Sequence, residues 1–277
     1  MPRMKFLLYF FVSVALLPGE SLSQSLLSTV VYKTIDSTSL TLNFYYPENL
    51  DESKAYPAMV FFFGGGWVEG NPEHLAPQAK YFAKRGVVGI CADYRTYSRF
   101  ETTPFESLMD AKSAIRFIRK NAERFHIDPD KLIGCGGSAG GQLAAACALV
   151  DGYNQPGENT SVSTIPDALV LFNPVIDNGP GGYGYDKIGG KYKCFSPLHN
   201  IRAGAPPTII FLGTADNLIP VETAKYYKMV MEKVGSRCDL FLYPGEKHGF
   251  FNKGKPHFDV TLEETAKFLK ELGYLDF

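Results

Sequence analysis

The sequence predicts an α/β protein with a mostly parallel, eight-stranded sheet and helices on both faces. Two observations predict this fold class: short apolar runs recur along the chain, and helical patterns separate them. A continuous apolar run is typical of a parallel strand that is buried on both faces. Strands that alternate with helices indicate a doubly wound sheet. With 277 residues and 45% hydrophobic content, the chain is long enough for one large domain.

The first two predicted strands, about 28–34 and 40–46, alternate apolar and polar residues, which is typical of a sheet edge with one hydrated face. The remaining strands are predicted at Ala58–Phe63, Val87–Ala92, Lys131–Cys135, Ala168–Phe172, Thr208–Leu212 and Asp239–Tyr243. Helices are predicted at about 74–85, 106–125, 139–150, 221–234 and 259–272. An insert at about 174–206 has little periodicity, so it is either a lid or binding loop or a surface loop without function.

The N-terminal segment has the pattern of a secretory signal peptide. Arg3 and Lys5 precede an apolar run, Pro18-Gly19 ends it, and small residues stand at Ser21 and Ser23. We expect cleavage after Ser23, so that residues 1–23 are removed and residues 24–277 form the exported domain, periplasmic or secreted. The alternative is a membrane anchor, which the shortness of the apolar run disfavours. We expect no stable membrane association after cleavage.

Charge and cysteine usage exclude several classes of site. The formal net charge is −1 and no block of like charge occurs, which disfavours nucleic acid as a partner. The five cysteines have spacings that resemble neither a disulfide framework nor a zinc site, although a Cys194–Cys238 bridge stays open. We expect neither a metal nor a cofactor.

A G-x-S-x-G motif, Gly136-Gly137-Ser138-Ala139-Gly140, lies between a predicted strand and an Ala-rich helical segment. This strand–turn–helix context is typical of a sharp turn that exposes a nucleophilic serine, here Ser138. Gly136 and Gly140 would let strand and helix approach closely. The alternatives are a plain glycine-rich turn and a dinucleotide-binding G-x-G-x-x-A pattern. The motif falls in mid-sheet and no ribose-binding acid follows, which disfavours the nucleotide.

A serine nucleophile needs a base, and the base needs an orienting acid. His248 lies in the loop after the last predicted strand, where α/β enzymes place functional residues. Asp216 follows the preceding strand, which gives the order Ser, acid, His. Asp216 could instead cap the next helix. Glu246 is the other candidate acid, but it is too close in sequence to orient His248 easily.

A glycine-rich loop, Gly64-Gly65-Gly66-Trp67, follows an early apolar strand. Glycines allow backbone amides to crowd a developing negative charge, so the amides of Gly65, Gly66 and Ala139 are the predicted oxyanion-hole donors. A phosphate-binding loop is disfavoured because no lysine follows in the required position.

The chain resembles the α/β-hydrolase family in its serine esterase branch, over nearly all of the mature chain. The motifs that carry the resemblance are Gly64–Trp67, Asp93-Tyr94-Arg95, Gly136–Gly141, Asp216–Pro220 and His248-Gly249-Phe250. In particular, it is similar to exported bacterial acetyl and feruloyl carbohydrate esterases related to the hormone-sensitive-lipase group. The resemblance implies the triad Ser138, Asp216 and His248, with Asp93 and Arg95 bracing the site.

Two residues depart from that family pattern. Phe63 stands where the family usually has a histidine that helps hold the glycine-rich loop Gly64–Trp67, here called the oxyanion loop. Gly137 stands where lipase-like relatives often carry Asp. We also expect no N-terminal cap domain and an open cleft that residues 178–200 partly cover.

The predicted function is that of a serine carboxylesterase that hydrolyses short-chain acyl, such as acetyl, or feruloyl esters on small molecules or polysaccharides. Trp67, Tyr94, Tyr183 and Tyr185 could form an aromatic platform for the substrate, or could be ordinary packing. The alternatives are a serine peptidase of the same fold and a non-catalytic binding protein with this fold.

Overall fold

The computed structural model describes residues 27–275. Its centre is one sheet in the strand order β1-β2-β4-β3-β5-β6-β7-β8. The strands are β1 (Leu27–Ile35), β2 (Thr38–Tyr45), β3 (Tyr56–Phe62), β4 (Val88–Ala92), β5 (Ile127–Gly137), β6 (Ala168–Phe172), β7 (Thr208–Gly213) and β8 (Cys238–Tyr243). All eight correspond to predicted strands, so the predicted fold class is confirmed.

Only the β2 pairings are antiparallel, with β1 on one side and β4 on the other. All the other neighbouring pairs, from β4-β3 to β7-β8, are parallel. Parallel strands end at the same edge of a sheet, and ligands bind outside their carboxyl ends. The loops after β3, β5, β7 and β8 carry the glycine-rich segment, Ser138, Asp216 and His248, so the topology brings these segments together.

The helices are α1 (Ala76–Ala83), α2 (Tyr97–Phe100), α3 (Pro104–Lys120), α4 (Ala139–Leu149), α5 (Tyr185–Ile188), α6 (Val221–Lys233) and α7 (Phe258–Glu271). Two apolar cores cover the sheet. One contains buried residues of α3, α4 and α6, and the other contains buried residues of α1 and α7. The helices therefore lie on both faces, as predicted.

The insert between β6 and β7 is not a structureless loop. It contains the single turn α5 and two 3₁₀ turns, Gly189–Cys194 and Pro197–Asn200. Cys194 is exposed and Cys238 is buried, and both are free thiols, so the bridge left open by the sequence is absent. None of the helices within residues 27–275 is long and apolar enough to cross a membrane. The predicted signal peptide lies outside the described residues.

Candidate active site

Ser138 occupies a strained turn between β5 and α4, with φ 54° and ψ −120°. This conformation is uncommon for a residue with a side chain. The turn is crowded, because a Cβ at Gly140 would lie 2.0 Å from the Phe62 carbonyl oxygen. A Cβ at Gly136 would lie 2.3 Å from the Gly140 carbonyl oxygen. Any larger residue at these two positions would push the strand and helix apart and displace Ser138.

The three predicted triad side chains form one hydrogen-bonded line. Ser138 Oγ lies 2.9 Å from His248 Nε2, and His248 Nδ1 lies 2.7 Å from Asp216 Oδ2. An ionised carboxylate accepts hydrogen bonds and cannot donate them, so the proton between Asp216 and His248 is on Nδ1. Nε2 then faces the serine as an acceptor. This is the arrangement in which an imidazole can remove a hydroxyl proton.

Asp216 is held by both of its carboxylate oxygens. Oδ1 accepts from the amides of Leu218 at 2.8 Å and Ile219 at 3.0 Å, while Oδ2 faces His248. Burial raises the pKa of this carboxyl, but the hydrogen bonds from His248 and the two amides outweigh burial, so the pKa is lowered from its ordinary value. Asp216 therefore stays ionised opposite the imidazole.

The structure excludes the alternative roles of Asp216 as a helix cap and of Glu246 as the acid that orients His248. Helix α6 is capped by Pro220, so Asp216 is not its N-cap. Glu246 Oε1 lies 3.2 Å from Nε2 of a different histidine, His257. Within the described chain, Asp216 is thus the carboxylate that pairs with His248.

The predicted oxyanion donors lie beside Ser138. Gly65 and Gly66 have φ values of 125° and 63°, and they line the same cavity as Ser138 and His248. Their amides make no hydrogen bond within residues 27–275. Ala139 is the first residue of α4, so its amide has no acceptor in the helix. Free amides at this position can stabilise an oxyanion.

Phe63 and Tyr94 brace the oxyanion loop where the family histidine is missing. Their rings stack with centroids 4.0 Å apart, and Tyr94 Oη donates to the Phe63 carbonyl at 2.7 Å. Tyr94 is 0% exposed, so the predicted substrate contact is wrong for this residue. The hydroxyl serves the loop because the carbonyl of Phe63 is buried and needs a donor.

The expected Asp93–Arg95 brace has different partners. Asp93 accepts two hydrogen bonds from Arg99, at 2.7 and 2.9 Å. Arg95 instead forms a two-bond pair with the fully buried Asp110, at 2.7 and 2.9 Å. Asp110 also accepts a hydrogen bond from Lys33 at 2.6 Å, so it pairs with two cations, while Asp93 pairs with Arg99. Separate ion pairs therefore hold Asp93 and Arg95.

The catalytic groups open into a cavity of about 410 Å³. Of the four predicted substrate-contacting aromatics, Tyr183 lines this cavity. Trp67 is 1% exposed and donates through Nε1 to Gln142 Oε1 at 3.3 Å, so it supports the loop from behind. Tyr185 packs edge-on against Tyr192 outside the cavity lining. The aromatic platform is therefore not formed, since the other three rings point elsewhere.

Asn173 is a site residue that the sequence reasoning missed. It directly follows β6, has φ 34° and lines the cavity. Its Oδ1 accepts from the Gly249 amide at 2.8 Å, and its Nδ2 lies 3.3 Å from His248 Nε2. A polar residue immediately after a continuous apolar strand was the available signal, because that position is at the carboxyl edge of the sheet.

Comparison with known proteins shows which family the chain belongs to. Residues 42–178 match the family described as BD-FAE, and residues 174–272 match the dienelactone hydrolase family. Esterase 2 of Thermogutta terrifontis, in a structure phosphorylated by paraoxon, is 42% identical with a TM-score of 0.86, over 91% of this chain and 96% of that one. The chain belongs to the α/β-hydrolase esterases.

Two further relatives of this α/β-hydrolase esterase are more distant. An acetylxylan esterase of Xylanibacter ruminicola is 28% identical over 242 residues, 80% of this chain and 47% of that protein. An isoprenylcysteine alpha-carbonyl methylesterase of Arabidopsis thaliana is 26% identical over 250 residues, 82% of this chain and 57% of that protein. The chain spans about half the length of the curated relatives it matches. No cluster of His, Cys, Asp and Glu within residues 27–275 could hold a metal ion.

Proposed function

We propose that this chain is a serine carboxylesterase that hydrolyses short-chain acyl or feruloyl esters, on carbohydrates in particular. The observation that carries the proposal is the line Ser138–His248–Asp216, with distances of 2.9 and 2.7 Å, beside the backbone amides of Gly65, Gly66 and Ala139. Nucleophile, base, orienting acid and oxyanion donors are the parts that acyl transfer through serine needs.

The reaction follows from these contacts. Ser138 Oγ attacks the ester carbonyl carbon while His248 Nε2 takes the hydroxyl proton. The carbonyl oxygen becomes an oxyanion, which the amides of Gly65, Gly66 and Ala139 bind; each such donor contributes roughly 2.7–4 kcal/mol. His248 then protonates the leaving alcohol, and an acyl-enzyme remains. Water, deprotonated by His248, releases the acid and restores Ser138.

The cavity supports a small acyl group. Its volume is about 410 Å³, and residues of both polar and apolar character line it, among them Glu69, Leu218 and Asn252. Relatives support the same class: one is an acetylxylan esterase, and two Thermogutta terrifontis structures are described as butyrate-bound and propionate-bound. The open side of the cavity would admit a sugar as the alcohol part of the ester.

Hydrolysis of p-nitrophenyl acetate by the wild type and by Ser138→Ala tests the reaction. We expect the variant to lose activity by about 10⁴-fold or more, as removal of a triad member does. A fluorophosphonate probe should label the wild type and spare the variant. Equal rates, or no labelling of the wild type, would leave the non-catalytic binding protein as the better explanation.

The acyl and alcohol groups need a separate test. We expect kcat/KM to fall as the acyl chain of p-nitrophenyl esters grows from acetyl to octanoyl, because the cavity is small. Acetylated xylan and methyl ferulate, assayed beside p-nitrophenyl acetate, then separate a carbohydrate esterase from a general one. Release of neither acetate nor ferulate would contradict the carbohydrate assignment and leave the esterase assignment intact.

We also propose that the protein is exported, on the pattern of residues 1–23. Sequencing the N-terminus of the mature protein should give Gln24 as its first residue. Retention of Met1 at the N-terminus would contradict export by this route.

A further inference from the structure

The orientation of the Asn173 side chain is determined by its backbone partner. The amide of Gly249 donates to it at 2.8 Å, so the atom that receives this bond is the oxygen, Oδ1. The remaining atom, Nδ2, can only donate, and it faces His248 Nε2 at 3.3 Å. Asn173 is 0% exposed, so water does not compete freely for these contacts.

His248 Nε2 therefore faces an N–H donor, which is compatible with a neutral imidazole whose Nε2 carries no proton. A neutral ring with its proton on Nδ1 offers Nε2 as an acceptor to Nδ2. A protonated ring presents an N–H toward the N–H of Asn173, which is repulsive. We propose that Asn173 is a positioning residue that favours His248 as a neutral base, because both Asn173 Nδ2 and the Ser138 hydroxyl, at 3.3 and 2.9 Å, face the one lone pair of Nε2.

The same side chain fixes where the base stands. Its Oδ1 ties the backbone directly after His248 to the carboxyl end of β6. The backbone amide of Asn173 is itself bonded to the Phe211 carbonyl of β7 at 2.7 Å. One residue, with a φ of 34°, thus connects the histidine loop to the two neighbouring strands β6 and β7.

Other charges face the imidazole as well, and the proposal has to be separated from them. The ionisable groups on its own loop and around the cavity are Asp216, Glu246, Lys247, Glu69, His74 and Tyr183. Asp216 acts on the opposite nitrogen, Nδ1, and Glu246 is paired with His257. In contrast to these groups, Asn173 contacts the nitrogen that takes part in proton transfer.

Asn173→Asp changes this contact with almost no change in shape. One carboxylate oxygen can still accept from the Gly249 amide, while the other replaces the N–H that faced Nε2. The Asp–His pair then takes up a proton at higher pH than the histidine alone. In a plot of kcat/KM against pH, activity falls on the acid side, here called the acid limb. We expect the midpoint of this limb to move up by about one pH unit, the size of effect that an adjacent opposite charge produces.

Asn252→Asp is the matched control, because Asn252 lines the same cavity and contacts His74 at 3.1 Å instead of His248. It places the same charge in the same cavity, so its acid limb should move by clearly less than that of Asn173→Asp. Equal movement in the two variants would overturn the proposal, since the effect would then be one of general charge.

A second readout does not need activity. The imidazole nitrogen-15 signals of His248, followed through a pH titration, should move to higher pH in Asn173→Asp and, by a smaller amount, in Asn173→Ala. An unchanged midpoint in folded Asn173→Ala, with only a lower melting temperature, would show a purely structural role and overturn the proposal.

This inference rests on the proposed esterase function, but the two fail differently. If the wild type neither hydrolyses esters nor reacts with the fluorophosphonate, the function fails, and the titration of His248 still decides the role of Asn173. If the wild type is active and the acid limb of Asn173→Asp equals that of the wild type, the positioning role alone is wrong.

Discussion

Tyr183 fills the space that a side chain at Gly66 would need: a Cβ at position 66 would lie 2.6 Å from Tyr183 Oη. The residues that follow these two are in contact as well, with the glycine now in the insert and the aromatic ring in the oxyanion loop. A Cβ at Gly184 would lie 2.8 Å from Cζ3 of Trp67. The insert and the oxyanion loop therefore interlock. The insert is seated against the amides that we propose as oxyanion donors, so we expect its position to affect their orientation.

Gly66→Ala tests this interlock. The new Cβ would meet Tyr183 and strain a backbone with φ 63°, so the amide of residue 66 should move. We expect kcat for p-nitrophenyl acetate to fall by roughly 10²-fold, the cost of losing one oxyanion donor.

Gly190→Ala is the control for the same experiment, because a Cβ there meets nothing within 4 Å. It should keep the wild-type rate. The double variant Gly66→Ala, Tyr183→Phe should recover part of the loss, since the contact with the hydroxyl disappears. A Gly66→Ala enzyme with the wild-type kcat would show that the interlock does not position the donors.

Asp216→Asn should reduce kcat by about 10⁴-fold, because an amide in place of the carboxylate can leave the imidazole with its proton on the wrong nitrogen. The control is Glu246→Gln. Glu246 is a neighbouring acid that pairs with His257, so its replacement should change kcat less than about threefold. The measurement is kcat for both variants at one pH. Comparable losses in the two variants would mean that the acid has been assigned to the wrong residue.

The acid side of the pH profile should reflect one proton. Against the effect of burial, hydrogen bonds from His248 and two backbone amides lower the pKa of Asp216 from its ordinary value, so this carboxylate stays ionised while the pH falls. Protonation of His248 removes the base, so activity falls with falling pH. A plot of log kcat/KM against pH should have a slope of one down to about pH 4, just above the reference value for aspartate. A slope of two would show that Asp216 is protonated in the same range.

Tyr94→Phe removes the hydroxyl that donates to the Phe63 carbonyl and keeps the ring stack. A buried carbonyl without a donor costs about 1–3 kcal/mol, so urea unfolding should show a free-energy loss of this size. We expect kcat to fall as well, because Phe63 leads into the oxyanion loop. The control is Tyr97→Phe, a residue that is 59% exposed, which should stay within about 0.5 kcal/mol of the wild type. Equal stability of both variants would contradict the bracing role.

Local pattern was sufficient for the fold and for the candidate nucleophile. Continuous apolar runs have one favourable environment, the middle of a layered sheet, so they predicted six strands, and the alternation of apolar and polar residues predicted the two at the edge. The turn around Ser138 could also be predicted from the sequence, because close backbone contacts between adjacent elements require glycine at positions 136 and 140. Such features depend on residues near in sequence.

Partner choice depended on the tertiary structure. Tyr94 and Trp67 are buried supports rather than substrate contacts, Arg95 pairs with Asp110 rather than Asp93, and Asn173 faces His248 across 75 positions of sequence. A side chain's residue type states what it can bond, but the packing of distant elements decides which partner is within about 3 Å. The sequence by itself determined the sheet and the order of the chemical groups along it. Folding decided which of those groups meet, because hydrogen bonds act over distances shorter than the width of a single strand.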